Sequence, residues 1–435
     1  MRKNGPTGVE TLPPVLIPRV PDGCRDRLVE RARLQWRCSD GGDPATLAQD
    51  FLTGHGIAVT DLGRPARHDP DGVCGAALYL SAAAGALLAG GAPGTATPVP
   101  ALPDLVVVVY DHADGAASGT ARLRHPQAGL HPTAAPGGGG HPAGAYTPAG
   151  FRTADRRPGG PDPAAGWWLG EWRESWTPRQ HADAVEAVRA AIGRGDVYQV
   201  NLVGHAAAPY AGDPLPALAR LGALPGARYG GTLSGAGWAI GCASPETLVE
   251  VDGGRLVTRP IKGTRAATPD GRRELLASAK ERAEHVMIVD LERNDLARVA
   301  RTGSVRVDEL FAVRRWCDLW QAESTVSAAV ADGLGLADLL RAVCPGGSVT
   351  GAPKLAALDR IAALEPVGRG ASMGAFGWVG PGRIDLGLTI RTAAADADRL
   401  HVWAGGGITW GSDPAAEVAE AAAKAAPVRA LLAAG

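Results

Sequence analysis

Residues 403–420 read WAGGGITWGSDPAAEVAE. The stretch changes character twice. An apolar run ends at Trp403 and Ala404, three glycines follow at Gly405, Gly406 and Gly407, and Asp413-Pro414 then opens a helical pattern. Asp is a favoured N-cap, and Pro is tolerated at the first helical position, where its missing N–H has no partner to lose. The glycines allow backbone N–H groups to cradle an anion, or simply a tight turn. Glu417 and Glu420 lie three apart on the helix and share a face. The helix is expected to pass Lys424, with Pro427 ending or kinking it.

A second acidic pair stands at the same spacing upstream. Glu281 and Glu284 fall in KERAEHVMIVDLERNDLARVARTGSVRV (280–307), within a helix expected over about 272–294. Leu275, Leu276, Ala279, Ala283, Val286 and Met287 should form its inner face. Two helices, each with an acidic pair, could converge on a hard divalent ion. Mg2+ takes a few carboxylates plus substrate oxygens rather than a full protein cage. The same spacing also describes solvated helix faces paired with Lys280, Arg282 or Lys424.

Two further stretches carry possible chemistry. In TRPIKGTR (258–265), Arg259 and Arg265 flank Lys262. Neighbouring positive charge lowers a lysine pKa and favours the nucleophilic amine, although a basic loop can equally expose its lysine to solvent. PGGSVTGAPK (345–354) sets the Ser348 hydroxyl beside a glycine-rich backbone. It is not a phosphate-binding P-loop, because Lys354 follows Pro353 rather than Gly.

The remaining composition narrows the field. A net charge of -1 over 435 residues gives no electrostatic reason to expect nucleic acid or an anionic membrane as partner. The six cysteines are scattered without a C-x-x-C pair, which points away from zinc or a disulfide framework and toward a reducing cytoplasm. No apolar run follows the first residues, so no secretory signal is expected. Residues 73–103 carry no charge, and 75–92 are long enough to raise a membrane span. Ala and Gly dominate that run and Pro93 follows, so a buried strand and helix joined by a turn are expected instead. Residues 105–110, LVVVVY, read as a buried strand. Thr177-Pro178-Arg179-Gln180 is a capping box, and Val185, Val188, Ala191 and Ile192 continue a helical stripe toward Gly193 and Gly195. A strand is expected at 197–203.

Taken together, GDVYQVNLVGH (195–205), ASPETLVEVDGGRLVTRPIKGTR (243–265), residues 280–307 and 345–354, IRT (390–392) and residues 403–420 resemble the chorismate-binding family, in the family's order. That family includes component I of anthranilate and aminodeoxychorismate synthases, and the isochorismate and salicylate synthases. The resemblance implies an α+β fold: an anthranilate-synthase-like sandwich of two large, mainly antiparallel sheets flanked by helices. It implies an N-terminal part of the sandwich at 1–125, a Pro/Gly-rich loop or linker at 126–170 and a chorismate-binding catalytic region at 171–435. Glu284 and Glu420 resemble the magnesium carboxylates, supported by Glu281 and Glu417. The Gly405–Gly407 amides and Lys424 would help hold the ring carboxylate of chorismate, and Arg391 would grip its enolpyruvyl carboxylate as a fork. Ser348 and Thr264 would join the substrate pocket. Glu246 resembles the general acid for the departing C4 hydroxyl.

Within the family, two positions discriminate. Isochorismate-type enzymes carry a lysine base where this chain has Gln199, and anthranilate synthases usually read PIAGTR where it reads PIKGTR. A lysine at position 262 implies a nucleophile that adds to ring C2, after which ammonia enters at C4 to give 4-amino-4-deoxychorismate. Ammonia is expected from a glutamine amidotransferase partner, because Gly72-Val73-Cys74-Gly75 is only a fragment of a glutaminase elbow. Gln321 replaces a usual His linked to pyruvate elimination, and Ser372 a usual Tyr. The alternatives are an anthranilate-type or other C2-aminating enzyme, and a non-catalytic chorismate-binding subunit.

Overall fold

The computed structural model describes residues 28–64, 73–112 and 166–434. Cys24, the first residues and most of the expected linker lie outside the described residues.

Two sheets organise the chain, and every strand pairing among the described residues is antiparallel. The ten-stranded sheet runs Leu28–Trp36, Leu105–His112, Gly75–Leu80, Ala375–Gly380, Arg383–Leu388, Thr247–Asp252, Arg255–Arg259, Leu319–Ala329 and Ile261–Ala266, with Arg306–Trp316 also paired to Leu319–Ala329. The eight-stranded sheet runs Gly351–Ala352, Gln199–Ala211, Arg399–Ile408, Thr392–Ala395, Trp238–Ser244 and Tyr229–Gly235. Two short strands, Trp168–Leu169 and Arg173–Glu174, add to Gln199–Ala211. The largest apolar core draws on both sheets, joining Leu78, Val107, Phe376 and Leu386 from one to Val203, Ile240 and Trp403 from the other. This is the α+β sandwich expected from the sequence.

Local signals placed many elements. The β-branched run 106–109 is fully buried inside Leu105–His112, as a strand covered on both faces must be. The uncharged stretch after residue 73 forms the strand Gly75–Leu80 and the helix Ala82–Leu88, the latter started by Ser81 Oγ accepting from Ala84 N. Among the described residues no helix is long and apolar enough to cross a membrane. Helix Pro178–Gly193 carries the expected capping box between Thr177 and Gln180.

Three expectations needed correction. The helix expected over 272–294 is two helices, Pro269–Ala277 and Ala279–Ala297. Ser278 sits between them with ψ 109°, its hydroxyl accepting from Glu281 N, so a side-chain cap displaces the helical ladder there. The inner face also differs: Glu281, Glu284 and His285 are buried while Val286 is 55% exposed. Of the two outcomes expected at Pro427, the ending does not occur: the last helix, Pro414–Ala433, continues through it. Val428 and Leu432 beyond it are buried in a packed cluster, and tertiary packing outweighs the lost hydrogen bond. Finally, Gly405, Gly406 and Gly407 do not form a turn. They lie inside the strand Arg399–Ile408, opposite Val203, Leu202 and Asn201.

Candidate functional site

A cleft opens where strand Ile261–Ala266 and helix Ala279–Ala297 meet strand Arg399–Ile408 and helix Pro414–Ala433. All thirteen residues singled out from the sequence line this one cleft.

Lys262 and Glu246 are its buried centre, 8% and 3% exposed. They are linked through one residue. Lys262 Nζ donates to the Ser348 carbonyl at 3.1 Å, and Ser348 Oγ donates to Glu246 Oε1 at 2.6 Å. The Ile261 amide also donates to Glu246 Oε1, at 3.2 Å. Burial lowers the Lys262 pKa, against the opposing pull of Glu284 and Glu246. The flanking arginines are not the cause, contrary to the reading of the loop. Arg259 pairs with Glu250 at 2.8 Å and Arg265 with Glu281 at 3.1 Å. Burial raises the Glu246 pKa despite donors from Ser348 and Ile261, which favours a carboxyl able to give a proton. His285, buried beneath the strand, positions the main chain here. Its Nε2 lies 2.8 Å from the Ala322 carbonyl and 3.3 Å from the Lys262 amide nitrogen, while Nδ1 meets Ser324 Oγ at 2.8 Å. Burial pushes its pKa down to about 4, so the ring is neutral.

The two acidic pairs face each other across the cleft. Lys280 Nζ stands between them, 3.7 Å from Glu284 Oε1 and 3.7 Å from Glu417 Oε1. Lys424 Nζ pairs with Glu420 Oε1 at 2.6 Å and donates to the Gly405 carbonyl at 3.0 Å. Thr409 Oγ1 donates to Glu284 Oε1 at 2.7 Å. Burial raises the pKa of Glu281, with Glu284 adding to the rise, and burial likewise raises that of Glu417. Burial acts upward on Glu420 too, but Lys424 holds it below the usual range. Among the described residues no group of three or more His, Cys, Asp or Glu forms a ready-made metal cage. Four carboxylates, met in this structure by Lys280, Lys424 and Arg265, have the donor chemistry that suits a hard cation keeping water and substrate oxygens as ligands.

Arg391 also lines the cleft, with burial lowering its pKa to about 10. Its guanidinium stands 4.9 Å from the Trp316 ring centroid, and Nε has no hydrogen-bond partner among the described residues. A fork so placed can accept a carboxylate. The glycines act by leaving space. A Cβ at Gly406 would stand 3.1 Å from Glu417 Oε2, and one at Gly407 would collide with Lys262 Nζ.

Asn201, Met373, Lys280 and Gln321 also line the cleft, and His285 supports it; of these the sequence singles out only Gln321, at the position of a usual His. His285 was available as the neighbour of Glu284 within the quoted motif. Met373 carried no local signal. Ser372 is buried with its hydroxyl donating to the Thr389 carbonyl and does not line the cleft.

Residues 67–430 match the family described as chorismate binding enzyme. The chain belongs to that family. Among curated chorismate binding enzymes, aminodeoxychorismate synthase component 1 of Salmonella typhimurium is 41% identical over 256 residues, 57% of this chain and 56% of that protein. The matched segment thus spans little more than half of that relative. Anthranilate synthase component 1 of Streptomyces coelicolor is 36% identical over 409 residues, 87% of this chain and 75% of that protein. The fold matches the crystal structure of anthranilate synthase component I from Streptococcus pneumoniae, with TM-score 0.68, 24% identity and coverage of 98% and 95% of the two chains.

Proposed function

We propose that this chorismate binding enzyme converts chorismate and ammonia to 4-amino-4-deoxychorismate, the work of an aminodeoxychorismate synthase component 1. The observation that carries the reading is Lys262, buried in the cleft with its amine linked through Ser348 to Glu246. Glu246 gives a proton to the C4 hydroxyl, which leaves as water. The neutral Lys262 amine adds to ring C2 as that bond breaks. Ammonia then forms the C4–N bond, and the C2–N bond to Lys262 breaks with its electron pair returning to the lysine. Arg391 orients the enolpyruvyl carboxylate, while Thr264, Ser348 and the Gly405–Gly407 strand shape the rest of the pocket. Glu284 and Glu420, supported by Glu281 and Glu417, would hold Mg2+. When bound, that ion supplies charge neutralisation for the ring carboxylate. A glutamine amidotransferase subunit supplies the ammonia, and the free thiols of Cys38, Cys74, Cys242, Cys317 and Cys344 suit a cytoplasmic setting.

The relative from Streptomyces coelicolor favours a second reading, anthranilate formation. Lys262 and Gln321 weigh against it: the first supplies an amine at ring C2, and the second offers no titratable proton for expelling pyruvate. Incubating the purified chain with chorismate, Mg2+ and ammonium and weighing the product decides the matter. A product that retains the enolpyruvyl group supports the aminodeoxychorismate reading, and one that has lost pyruvate overturns it.

A further inference from the structure

A separate cavity of about 140 Å3 lies between helices Pro178–Gly193 and Pro414–Ala433, against strands Gln199–Ala211 and Arg399–Ile408. It shares no lining residue with the cleft. Its floor is small and apolar, made by Gly204, Ala404, Val418, Ala421 and Ala425. One wall is a pair of stacked rings, Trp176 and His181, with centroids 4.5 Å apart and an interplanar angle of 19°. They are 8% and 5% exposed. Neither the indole N–H nor the imidazole makes a hydrogen bond to another described residue. Burial lowers the His181 pKa, against the pull of Glu174, so the ring is neutral, with one N–H and one lone pair. Arg429 and Glu174, more exposed, pair at 2.7 Å and cancel each other's charge.

Such a space suits neither water nor an ion. Several waters would fit, but each needs about two to four polar partners, and the floor supplies none. An ion would find the guanidinium already paired. We propose that this cavity binds a small monocyclic phenol. A volume of roughly 150 Å3 is enough for a benzene ring. A phenol hydroxyl both accepts and donates, so it takes the indole N–H on a lone pair and gives its proton to the free imidazole nitrogen. The ring lies against the small side chains of the floor. No covalent bond is made or broken, and the inference does not depend on the reaction proposed above. It places an occupant behind the helix that presents Glu417, Glu420 and Lys424 to the cleft.

The test is titration calorimetry of the full chain with phenol and with toluene, which keeps the ring and lacks the hydroxyl. Phenol should bind at one site per chain, about tenfold more tightly than toluene, the worth of one hydrogen bond. Trp176→Phe keeps the stacked ring and removes the N–H. It should weaken phenol about tenfold and leave toluene within about twofold. Ala421→Leu fills the floor and should abolish binding of both. The proposal is overturned by no saturable heat with phenol at millimolar concentration, by equal affinity for the two probes, or by phenol binding that survives Ala421→Leu. If Trp176→Phe fails to fold by urea unfolding, the comparison of the two probes on wild type and Ala421→Leu decides alone. If Ala421→Leu fails to fold, the four affinities of wild type and Trp176→Phe decide.

Discussion

The amine of Lys262 occupies the space that a side chain on Gly407 would need. Lys262 belongs to the ten-stranded sheet and Gly407 to the eight-stranded one, so the reacting amine sits where the two sheets meet. Gly407→Ala is therefore expected to displace the amine. Turnover of chorismate should fall sharply, while the unfolding midpoint in urea moves little. Full activity in that variant would show that the amine has room to spare.

Lys262→Ala should abolish product formation from chorismate and ammonium, and Glu246→Gln should lower kcat by about 10²- to 10⁴-fold, as loss of a general acid does. Both variants keep the Arg391 fork and the acidic pairs, so chorismate should still bind, as titration calorimetry with Mg2+ present would show. Product at the wild-type rate from either variant would remove that residue from the mechanism.

Lys280 stands 3.7 Å from one carboxylate of each acidic pair and competes with any cation placed there. Chelation with EDTA is expected to stop turnover and added Mg2+ to restore it. Lys280→Met should lower the Mg2+ concentration giving half-maximal rate by severalfold. A rate indifferent to both chelator and substitution would mean that the four carboxylates hold no metal.

Arg369 and Glu365 form a buried pair, with contacts of 2.9 and 2.7 Å. Arg369 also donates to the carbonyls of Val349 and Asn201, two residues of the cleft wall. Arg369→Met strands the carboxylate in the interior and should cost about 3 to 5 kcal/mol of folding stability, read from urea unfolding. A loss within experimental error would mean that Glu365 takes up a proton at no cost.

His205 is buried against His401, its pKa pushed down to about 3 by burial and then by His401. The unfolded chain binds a proton at this position near pH 6.5, whereas the folded chain does not. Stability from this residue is thus complete above about pH 6.5 and is lost as pH falls toward 3, by about 1.4 kcal/mol per unit. His205→Gln should flatten the dependence of urea stability on pH between 6.5 and 4 relative to wild type. Equal slopes would place the acid sensitivity elsewhere.

Much of this protein was legible as a string of residues. Helix Pro178–Gly193 announced itself through Thr177 and Gln180, and Leu105–His112 through its run of valines, because caps and β-branched runs act on their own neighbourhood. Motif order identified the family, and with it the cleft residues. What local spacing could not decide was which surfaces lose their water. Glu281, Glu284 and His285 turn inward while Val286 faces solvent, because the facing sheet and helix, far away in sequence, form the opposite wall. The same burial, not the adjacent arginines, lowers the Lys262 pKa. The placement of Lys280 between the acidic pairs likewise arises only when two helices distant in sequence meet. Desolvation is a property of the whole packed chain, and a sequence window contains only one side of each contact.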